Sequence, residues 1–397
     1  MSERNLNFDQ IINRKNTKSL KYDFAEKRGY PEDILPLWVA DMDFKTSSYV
    51  EDAISSLALQ NIYGYTDTQN GDGFFDAVAG WMKRHHDFEV KQEWHVKTPG
   101  VCFAIGTALN AVTEPGDAVI IQEPAYYPFR NIIRFNKRKL VTSSLLLNDD
   151  GYYTMDYEDF EKKVIGNKVK LFILCSPHNP VGRVWTKEEL VRIGEICRRK
   201  GVIVFSDEIH FDFVWEGVHR IFQEADPSFR DFTITATSPS KTFNLAGLQQ
   251  SNIFIPNEVI RSKYIWAYDA TGYDEPNIAG IAAAQAAYEN GDEWYETAKK
   301  YIFENICFAD TFVKNELPGV HLIHPQGTYL IWLDFRQLRL SADELEDLIV
   351  NKAGLWLDRG RIFGKAGEGF ERMNTACPKS ILEEALNRIK TGISNYG

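Results

Sequence analysis

The sequence predicts an α/β protein with a mostly parallel sheet and a smaller second domain. Between about residues 90 and 255, short apolar runs rich in β-branched residues alternate with amphipathic helical segments, which is typical of β-α-β units. The length of 397 residues is enough for two or three domains with substantial apolar cores. After about residue 285 the pattern changes to longer helical stretches, which indicates a separate α+β domain.

The strands of the larger domain are the clearest elements. The runs DAVIIQ, KLFILC, VIVFSD and FTITAT each predict a buried strand. Between KLFILC and VIVFSD, Thr186 is a good N-cap with Glu189 three residues later, and Gly201 suits the end of the helix that they begin. A complete strand-helix-strand unit can therefore be followed in this part of the sequence.

The remaining elements predict a smaller domain at the end of the chain. A strand pair is expected around LIHPQGTYLIWLDF, and a final helix from about Ser380. We assign residues 1–48 to an N-terminal arm that packs with the small domain, 49–285 to the large domain, and 286–397 to the small C-terminal domain. No linker composition marks the boundaries, so they rest on pattern alone.

The composition limits the kind of partner that we expect the protein to bind and the cellular compartment in which we expect it. The net charge of -11, with both signs mixed along the chain, does not fit a nucleic-acid-binding protein. The 5 cysteines are scattered without paired spacing, which predicts neither a disulfide framework nor a metal site. The polar N-terminus lacks an apolar signal region, and no apolar run reaches the roughly 20 residues that span a membrane. We expect a cytoplasmic protein that acts on a small molecule.

Polar residues follow the predicted strands at the edge where ligands bind in open parallel sheets. Asn179 follows KLFILC, Asp207 ends VIVFSD, and the sequence after FTITAT contains Ser238, Ser240 and Lys241. This set matches the needs of pyridoxal 5'-phosphate (PLP). Its aldehyde binds a lysine amine, its ring nitrogen needs a carboxylate, its phenolic oxygen needs a donor, and its phosphate needs N–H and hydroxyl groups. The sequence therefore predicts that Lys241 carries PLP as a Schiff base.

Each of these residues also has a purely structural interpretation. Lys241 alone would be a solvated surface lysine, and Asp207 a residue that begins a turn or helix. Asn179 before Pro180 would be part of an ordinary turn. The functional interpretation depends on their common position after strands, where a desolvated lysine becomes both a Schiff-base former and a proton carrier.

Three further residues are candidates with equally open alternatives. Gly100, in TPGVCFAIG, predicts the start of a helix whose free N–H groups would bind a phosphate, although glycine is common before helices. Tyr126 would be either a core aromatic or a ring that stacks on a flat cofactor. Arg372 would be either a surface charge or a bidentate clamp for a substrate carboxylate.

Together these motifs carry a family resemblance. The ordered set PGVCFAIG, EPAYYPF, SPHNPVGRVW, SDEIHFDFVW, SPSKTFNLAGLQ and ERMNTACP resembles the fold-type I PLP enzymes of the class I/II aminotransferase superfamily, over nearly the whole chain. LPLWVADMDF and PHNPVGRVW more narrowly resemble the MalY/PatB type of cystathionine β-lyase, or C-S lyase. The resemblance implies a large domain with a mostly parallel seven-stranded sheet and a smaller α+β domain.

The resemblance also implies roles for individual residues. Lys241 would be the Schiff-base lysine, Asp207 would hold the pyridine nitrogen and Tyr126 would stack on the ring, so that these three are the catalytic residues. The other implied cofactor-binding residues are Gly100, Val101, Cys102, Asn179, His210, Ser238 and Ser240. The implied substrate-binding residues are Ala40, Asn179 and Arg372. Tyr65, in YGYTD, would reach the cofactor phosphate of a neighbouring subunit, which implies a homodimer with shared sites.

Two departures from the aminotransferase pattern favour the lyase branch. His210 stands where those enzymes usually carry a tyrosine, and Gln249 stands where many carry a phosphate-binding arginine. The expected function is therefore β-elimination from L-cystathionine or a related S-substituted cysteine, giving a thiol, pyruvate and ammonia. A PLP-dependent aminotransferase of amino acids is the alternative. A further alternative, also implied by the MalY resemblance, is a protein that binds a transcription regulator and retains some lyase activity.

Overall fold

The structure, a computed structural model, describes residues 3–4, 6–67, 73–273 and 275–396. Its strands are β1 (Leu35–Pro36), β2 (His95–Thr98), β3 (Ala118–Glu123), β4 (Lys139–Leu147), β5 (Tyr153–Met155), β6 (Leu171–Cys175), β7 (Ile203–Asp207), β8 (Thr233–Thr237), β9 (Ser251–Phe254), β10 (His321–Ile323), β11 (Leu330–Asp334), β12 (Leu355–Trp356), β13 (Asp358–Arg359) and β14 (Phe370–Asn374). Its α-helices are α1 (Ser48–Gln60), α2 (Phe74–His86), α3 (Val101–Val112), α4 (Tyr127–Phe135), α5 (Tyr157–Asn167), α6 (Lys187–Lys200), α7 (Phe222–Ala225), α8 (Pro239–Thr242), α9 (Glu258–Asp269), α10 (Ile278–Asn290), α11 (Asp292–Glu316), α12 (Ala342–Asp347) and α13 (Lys379–Ser394).

The large sheet has the order β2-β9-β8-β7-β6-β3-β4-β5. The central pairs from β8 to β4 are parallel, whereas β9 pairs antiparallel with both β2 and β8. The α/β prediction is confirmed. The sheet has 8 strands where seven were expected, because β4 continues into an antiparallel hairpin with β5. β5 has only 3 residues, which is too short to give a periodic sequence signal.

Apolar residues cover both faces of the central strands. Every residue of β6 is buried; Leu171 and Ile173 face the core beside α3, whereas Phe172 and Leu174 face the core beside α6. Side chains of a strand alternate between faces, so a strand covered on both sides must be apolar throughout. This is why these strands are continuous apolar runs in the sequence, and why polar residues begin only where each strand ends.

The helix between β6 and β7 begins and ends where the sequence predicts. The Thr186 side chain accepts the backbone N–H of Glu189, and the Glu189 side chain accepts the N–H of Thr186 at 2.8 Å, which completes a capping box. Gly201 ends the helix with a left-handed φ of 65°. Local signals at both ends thus determine α6 before any tertiary contact is considered.

A smaller antiparallel sheet, with the order β10-β11-β14-β13, lies in the last part of the chain. The predicted strand pair corresponds to β10 and β11, and the last helix begins at Lys379, one residue before the predicted start. β1, near the start of the chain, pairs in parallel with β12. The exact division into arm, large domain and small domain stays a prediction.

The cysteines form no disulfide bond. Cys102 and Cys307 are exposed, and Cys175, Cys197 and Cys377 are buried. No helix within the described ranges is long and apolar enough to cross a lipid bilayer.

Two helical glycines provide a matched test of core packing. A Cβ at Gly194 in α6 would lie 2.2 Å from two ring carbons of Phe229, whereas a Cβ at Gly166 in α5 would meet nothing within 4 Å. Phe229 is fully buried and cannot move aside easily. We expect Gly194→Ala to lower the free energy of unfolding by about 1–3 kcal/mol through overpacking, and Gly166→Ala to leave it unchanged or raise it by up to about 1 kcal/mol. Urea unfolding measures both, and equal stabilities of the two variants would contradict the described packing around α6.

Candidate active site

The carboxyl ends of β6, β7 and β8 bring the predicted residues to one edge of the large sheet. Asp207, the last residue of β7, pairs in register with Cys175 at the end of β6 and with Ala236 in β8. Asn179 lies shortly after β6, and Lys241 lies in α8, directly after β8. Because the strands are parallel, residues that are far apart in sequence meet here.

Lys241 is held in this pocket by the N-terminal part of the chain. Its Nζ donates a hydrogen bond to the carbonyl oxygen of Ala40 at 2.6 Å. Burial lowers the pKa of Lys241 to about 8. The nearby Asp41 acts in the opposite direction, because a carboxylate favours the charged amine. A lysine in this state is neutral far more often near neutral pH than an ordinary lysine. Its burial shows that the surface-lysine interpretation is wrong.

Asp207 is a buried carboxylate beside the lysine. Its side chain is 4% exposed and accepts the backbone N–H of Ile209 at 3.2 Å. Burial raises the pKa of Asp207 to about 7, although the Ile209 hydrogen bond and Lys241 act in the opposite direction. A carboxylate of this kind is stabilised by an adjacent cation, and a protonated pyridine ring nitrogen is a cation of suitable size. The carboxylate and the amine at this edge of the sheet therefore fit the binding of PLP.

Arg372, on β14, is buried rather than at the surface, so its interpretation as a surface charge is wrong. Its Nη1 donates to Oδ1 of Asn179 at 2.9 Å, and its Nη2 donates to the carbonyl of Trp38 at 2.8 Å and to the carboxylate of Asp358. Its Nε is buried and has no partner among the described residues. A buried guanidinium with an unsatisfied N–H is suited to bind a carboxylate.

The residues predicted around the phosphate lie on two helix starts. Gly100 precedes α3 with a φ of 142°, and Val101 and Cys102 form its first turn, where backbone N–H groups lack helical partners. Ser238 caps α8, and its Oγ lies 2.6 Å from Oγ of Ser240. The Ser238 hydroxyl is also within 2.6 Å of the Gln250 carbonyl, to which it donates. Cys102 interacts electrostatically with Asp207 and Lys241, so the first turn of α3 lies near the ends of β7 and β8.

Two aromatic residues complete the pocket. Tyr126 precedes α4, is only partly exposed and interacts electrostatically with Cys102, Arg372 and Asp207. His210 is 3% exposed, and its Nδ1 has no partner among the described residues. Burial lowers the pKa of His210 well below its usual value, so the ring is neutral.

Two residues singled out in the sequence lie apart from this group. Tyr65 follows α1 and is 96% exposed, so it is not packed against the pocket of its own chain. Gln249 is exposed and ends a short turn with a left-handed φ of 54°. The pocket described above is therefore formed without either side chain.

Three contacts of the pocket have no signal in the sequence. Asp358 binds Arg372 from the neighbouring strand β13, and the Tyr329 hydroxyl donates to the carbonyl of Ala40 at 3.1 Å. Trp38 contributes through its backbone carbonyl, which any residue could supply. A prediction that β13 pairs with β14 would have placed Asp358 opposite Arg372, but β13 has only 2 residues.

The match to known proteins covers almost the entire chain. The sequence model described as aminotransferase class I and II matches residues 32–389. The chain belongs to this family. Cystathionine beta-lyase PatB of Bacillus subtilis is 40% identical over 390 residues, which are 98% of this chain and 100% of PatB. The family prediction made from the motifs is confirmed.

Solved structures of the aminotransferase class I and II fold agree with this assignment. A PLP-bound putative aminotransferase from Clostridium difficile 630 has a TM-score of 0.94 and 42% sequence identity, covering 98% of this chain and 99% of that one. Cystalysin from Treponema denticola, whose structure contains PLP, has a TM-score of 0.94 and 37% identity with the same coverage. The fold-type I architecture is confirmed.

The perturbed pKa of Asp207 predicts a pH dependence of stability in the cofactor-free protein. Between its ordinary value of 3.8 and about 7, folded Asp207 keeps a proton that the unfolded chain has lost, so its ionisation weakens the folded state as pH rises. Asp207→Asn removes this penalty. We expect the variant to gain stability over wild type progressively from pH 4 to pH 8, by up to about 4 kcal/mol.

Urea unfolding of the cofactor-free proteins across this pH range tests the expectation. The control is Asp149→Asn, whose side chain lies at the surface and which should follow the wild-type profile. A constant difference between Asp207→Asn and wild type would show that Asp207 is not desolvated as described.

Proposed function

We propose that this chain is a PLP-dependent carbon-sulfur β-lyase that cleaves L-cystathionine or related S-substituted cysteines. The products are a thiol, which is homocysteine in the case of cystathionine, together with pyruvate and ammonia. The observation that carries the proposal is the pocket in which an amine with a pKa of about 8, a buried carboxylate and an arginine with a free N–H converge. The 40% identity to PatB over its full length supports this class of reaction.

The residues divide the binding of PLP among them. When bound, PLP supplies an aldehyde that links to amines and a protonated ring that withdraws electrons from the substrate Cα. In this proposal Asp207 would hold the ring nitrogen, Tyr126 would stack on the ring, and Asn179 and His210 would bind near the phenolic oxygen. The first turn of α3 and the hydroxyl groups of Ser238 and Ser240 would hold the phosphate.

Arg372 binds the carboxylate of the amino acid. Its Nη1 and Nη2 are held by Asn179, Trp38 and Asp358, so the guanidinium has a fixed direction before substrate arrives. The carbonyl of Ala40 faces Lys241 and cannot donate to a carboxylate, so any contribution of Ala40 to carboxylate binding comes from its backbone N–H.

Lys241 moves the proton at the substrate Cα. Because its pKa lies near 8, the amine is neutral often enough at neutral pH to accept that proton, and it is strong enough as a base to do so. The thiolate then leaves Cβ with the electron pair of the carbon-sulfur bond and takes up a proton. Overall, one water and one S-substituted cysteine give one thiol, one pyruvate and one ammonia, and no external oxidant or keto acid is consumed.

An aminotransferase remains a second candidate because of one comparison. The Clostridium difficile structure with 42% identity is described as a putative aminotransferase. Such an enzyme uses the same lysine, carboxylate and arginine, but returns the proton to the cofactor and requires a keto acid. The two reactions therefore differ in their co-substrate, which an experiment can control.

The first test is pyruvate formation from L-cystathionine with PLP and without any keto acid. We expect pyruvate and thiol to appear in equal amounts over many turnovers, because elimination needs no second substrate. Lys241→Ala should reduce the rate by at least about a hundredfold, since it removes the group that moves the Cα proton. Lys187→Ala, at the exposed start of α6, is the matched control and should retain wild-type activity.

The possible results separate the candidates. Products that appear only after a keto acid is added would replace the lyase by the aminotransferase. Full activity of the Lys241→Ala variant would contradict the assignment of the whole pocket.

We also propose that the enzyme is a homodimer whose partner completes each site through Tyr65. The end of α1 and the residues after it expose a run of large apolar side chains: Leu59 at 87%, Ile62 at 76%, Tyr63 at 65% and Tyr65 at 96%. A contiguous apolar surface of this kind is typical of a protein interface. A second copy of the chain would cover it and would bring Tyr65 to the partner's phosphate-binding residues.

Mixing two inactive variants tests this shared site. Tyr65→Ala and Lys241→Ala homodimers should both be impaired, but a hybrid dimer contains one site with an intact Lys241 and the intact Tyr65 of the other chain. After subunit exchange in an equal mixture, activity should recover to about a quarter of wild type, because half of the dimers are hybrids with one competent site each. Absence of recovery in a mixture shown to contain hybrids would contradict the shared site.

A further inference from the structure

A cluster of opposite charges joins the first residues of the chain to the segment that borders the pocket. Arg14 donates to Asp41 at 2.6 Å and to Asp43 at 2.7 Å. Lys21 donates to Asp43 at 2.6 Å and lies 3.7 Å from Oδ1 of Asp41. The Lys21 side chain is fully buried, and that of Asp43 is 4% exposed. The cluster is therefore a network of two cations and two carboxylates in which Lys21 and Asp43 are buried and Arg14 and Asp41 are partly exposed.

The pairing in this cluster couples two stretches of chain. Removing one partner of a buried ion pair leaves an uncompensated charge, which is far more destabilising than loss of a surface pair. Asp41 already has one buried oxygen, Oδ1, without a hydrogen bond. If the residues around Arg14 and Lys21 separated from Asp41 and Asp43, buried charges would lose their partners without becoming fully hydrated. Separation is therefore unfavourable.

Residues 38–43, here called the bordering segment, carry the contacts to the pocket on their backbone. Side chains donate to their carbonyl oxygens: Arg372 to Trp38, Asn374 to Val39 and Asp41, Lys241 and Tyr329 to Ala40, and Asn244 and Arg14 to Met42. The Lys241 and Arg372 contacts involve the two residues that handle the Cα proton and the substrate carboxylate. The position of the bordering segment thus determines part of the environment of both.

We propose that Arg14 and Lys21 are positioning residues, which fix the bordering segment against Lys241 and Arg372 by pairing with Asp41 and Asp43. Neither cation touches the pocket itself. Their effect passes through the backbone between Trp38 and Asp43. In this view the two acidic residues of the LPLWVADMDF motif are present to be held by cations from the preceding arm.

Loosening the bordering segment changes Lys241 in a defined direction. Burial is the main cause that lowers the Lys241 pKa, and Ala40 supplies part of the surface that covers the amine. The other charged or titratable groups that act on Lys241 are Asp41, Arg372, Cys102 and Asp207. Moving Asp41 away would lower the Lys241 pKa, but burial is the larger of the two causes, so its loss determines the direction. If water enters where the segment lay, the charged amine is solvated again and the pKa moves up toward that of an ordinary lysine.

The test compares Arg14→Gln and Lys21→Met with two controls in the same part of the chain. Lys15→Met changes an exposed lysine, and Arg4→Gln removes an exposed ion pair with Asp52. The first measurement is proteinase K digestion of the full-length holoenzyme. We expect cleavage before residue 48 to become at least about tenfold faster in the two cluster variants but not in the controls, because exposed, loosely held termini are cleaved preferentially.

The second measurement follows Lys241 directly in the full-length, cofactor-free chain, where its amine is not occupied. The pH dependence of its modification by a small amine-specific reagent, quantified by peptide mass spectrometry, gives its ionisation midpoint. We expect a midpoint near 8 in wild type and in the controls, and a higher midpoint in the cluster variants. Arg14→Lys, which keeps one charge but cannot bridge Asp41 and Asp43 as a guanidinium does, should lie between.

A third measurement rests on the proposed lyase function. KM for the amino acid should rise by about tenfold in the cluster variants, because Arg372 loses its contact with the Trp38 carbonyl and with it part of its orientation. The first two measurements do not depend on the reaction, so failure of the lyase proposal would leave them informative.

Each outcome decides the proposal. Faster cleavage together with a raised Lys241 midpoint supports it. Faster cleavage with an unchanged midpoint would show that the cluster only anchors the chain and would overturn it, as would wild-type behaviour in both measurements. A raised midpoint without faster cleavage would show that the cations act on Lys241 through the charge of Asp41 rather than by fixing the segment, and would also overturn it. Should Lys21→Met fail to fold, Arg14→Gln carries the test, since the Arg14 side chain lies at the edge of the cluster with 22% exposed.

Discussion

The guanidinium of Arg372 is the contact on which the arrangement of three parts of the chain depends. It binds Asn179 from the large sheet, Trp38 from the N-terminal part and Asp358 from the small sheet. Arginine suits this position because its donors lie in one plane as a rigid fork. The same rigid geometry leaves the Nε–H without a partner among the described residues, so one side chain joins the three parts and keeps one buried donor unsatisfied.

Near this junction, burial brings the pKa values of two ionisable groups closer to one another. The pKa of Asp207 rises to about 7 and that of Lys241 falls to about 8, because each loses hydration of its charged form. The described residues around these two groups do not fully compensate either charge. A ligand that presents a cation to Asp207 and an electrophilic carbon to Lys241 relieves both penalties, so the cofactor stabilises the pocket that binds it.

Sequence patterns revealed local structure and one edge of the site, and contacts between distant segments stayed hidden. The capping box of Thr186 and Glu189, the helix start at Gly100 and the strand ends at Asp207 and before Lys241 are encoded in neighbouring residues. The burial of Arg372 is not encoded in neighbouring residues, because it comes from packing between two sheets. Asp358 and Tyr329 carry no local motif, and the short β5 and β13 give no period to detect.

The pairing of β1 with β12 has a consequence for synthesis of the protein. Leu35 lies opposite Leu355, so a strand that is synthesised early forms hydrogen bonds with one that is synthesised much later. Contacts this distant in sequence form late, after the intervening chain has folded. The large sheet can assemble while translation proceeds, but the pocket is completed only once the C-terminal strands are released. Nascent chains therefore lack a complete pocket until β14, which carries Arg372, has left the ribosome.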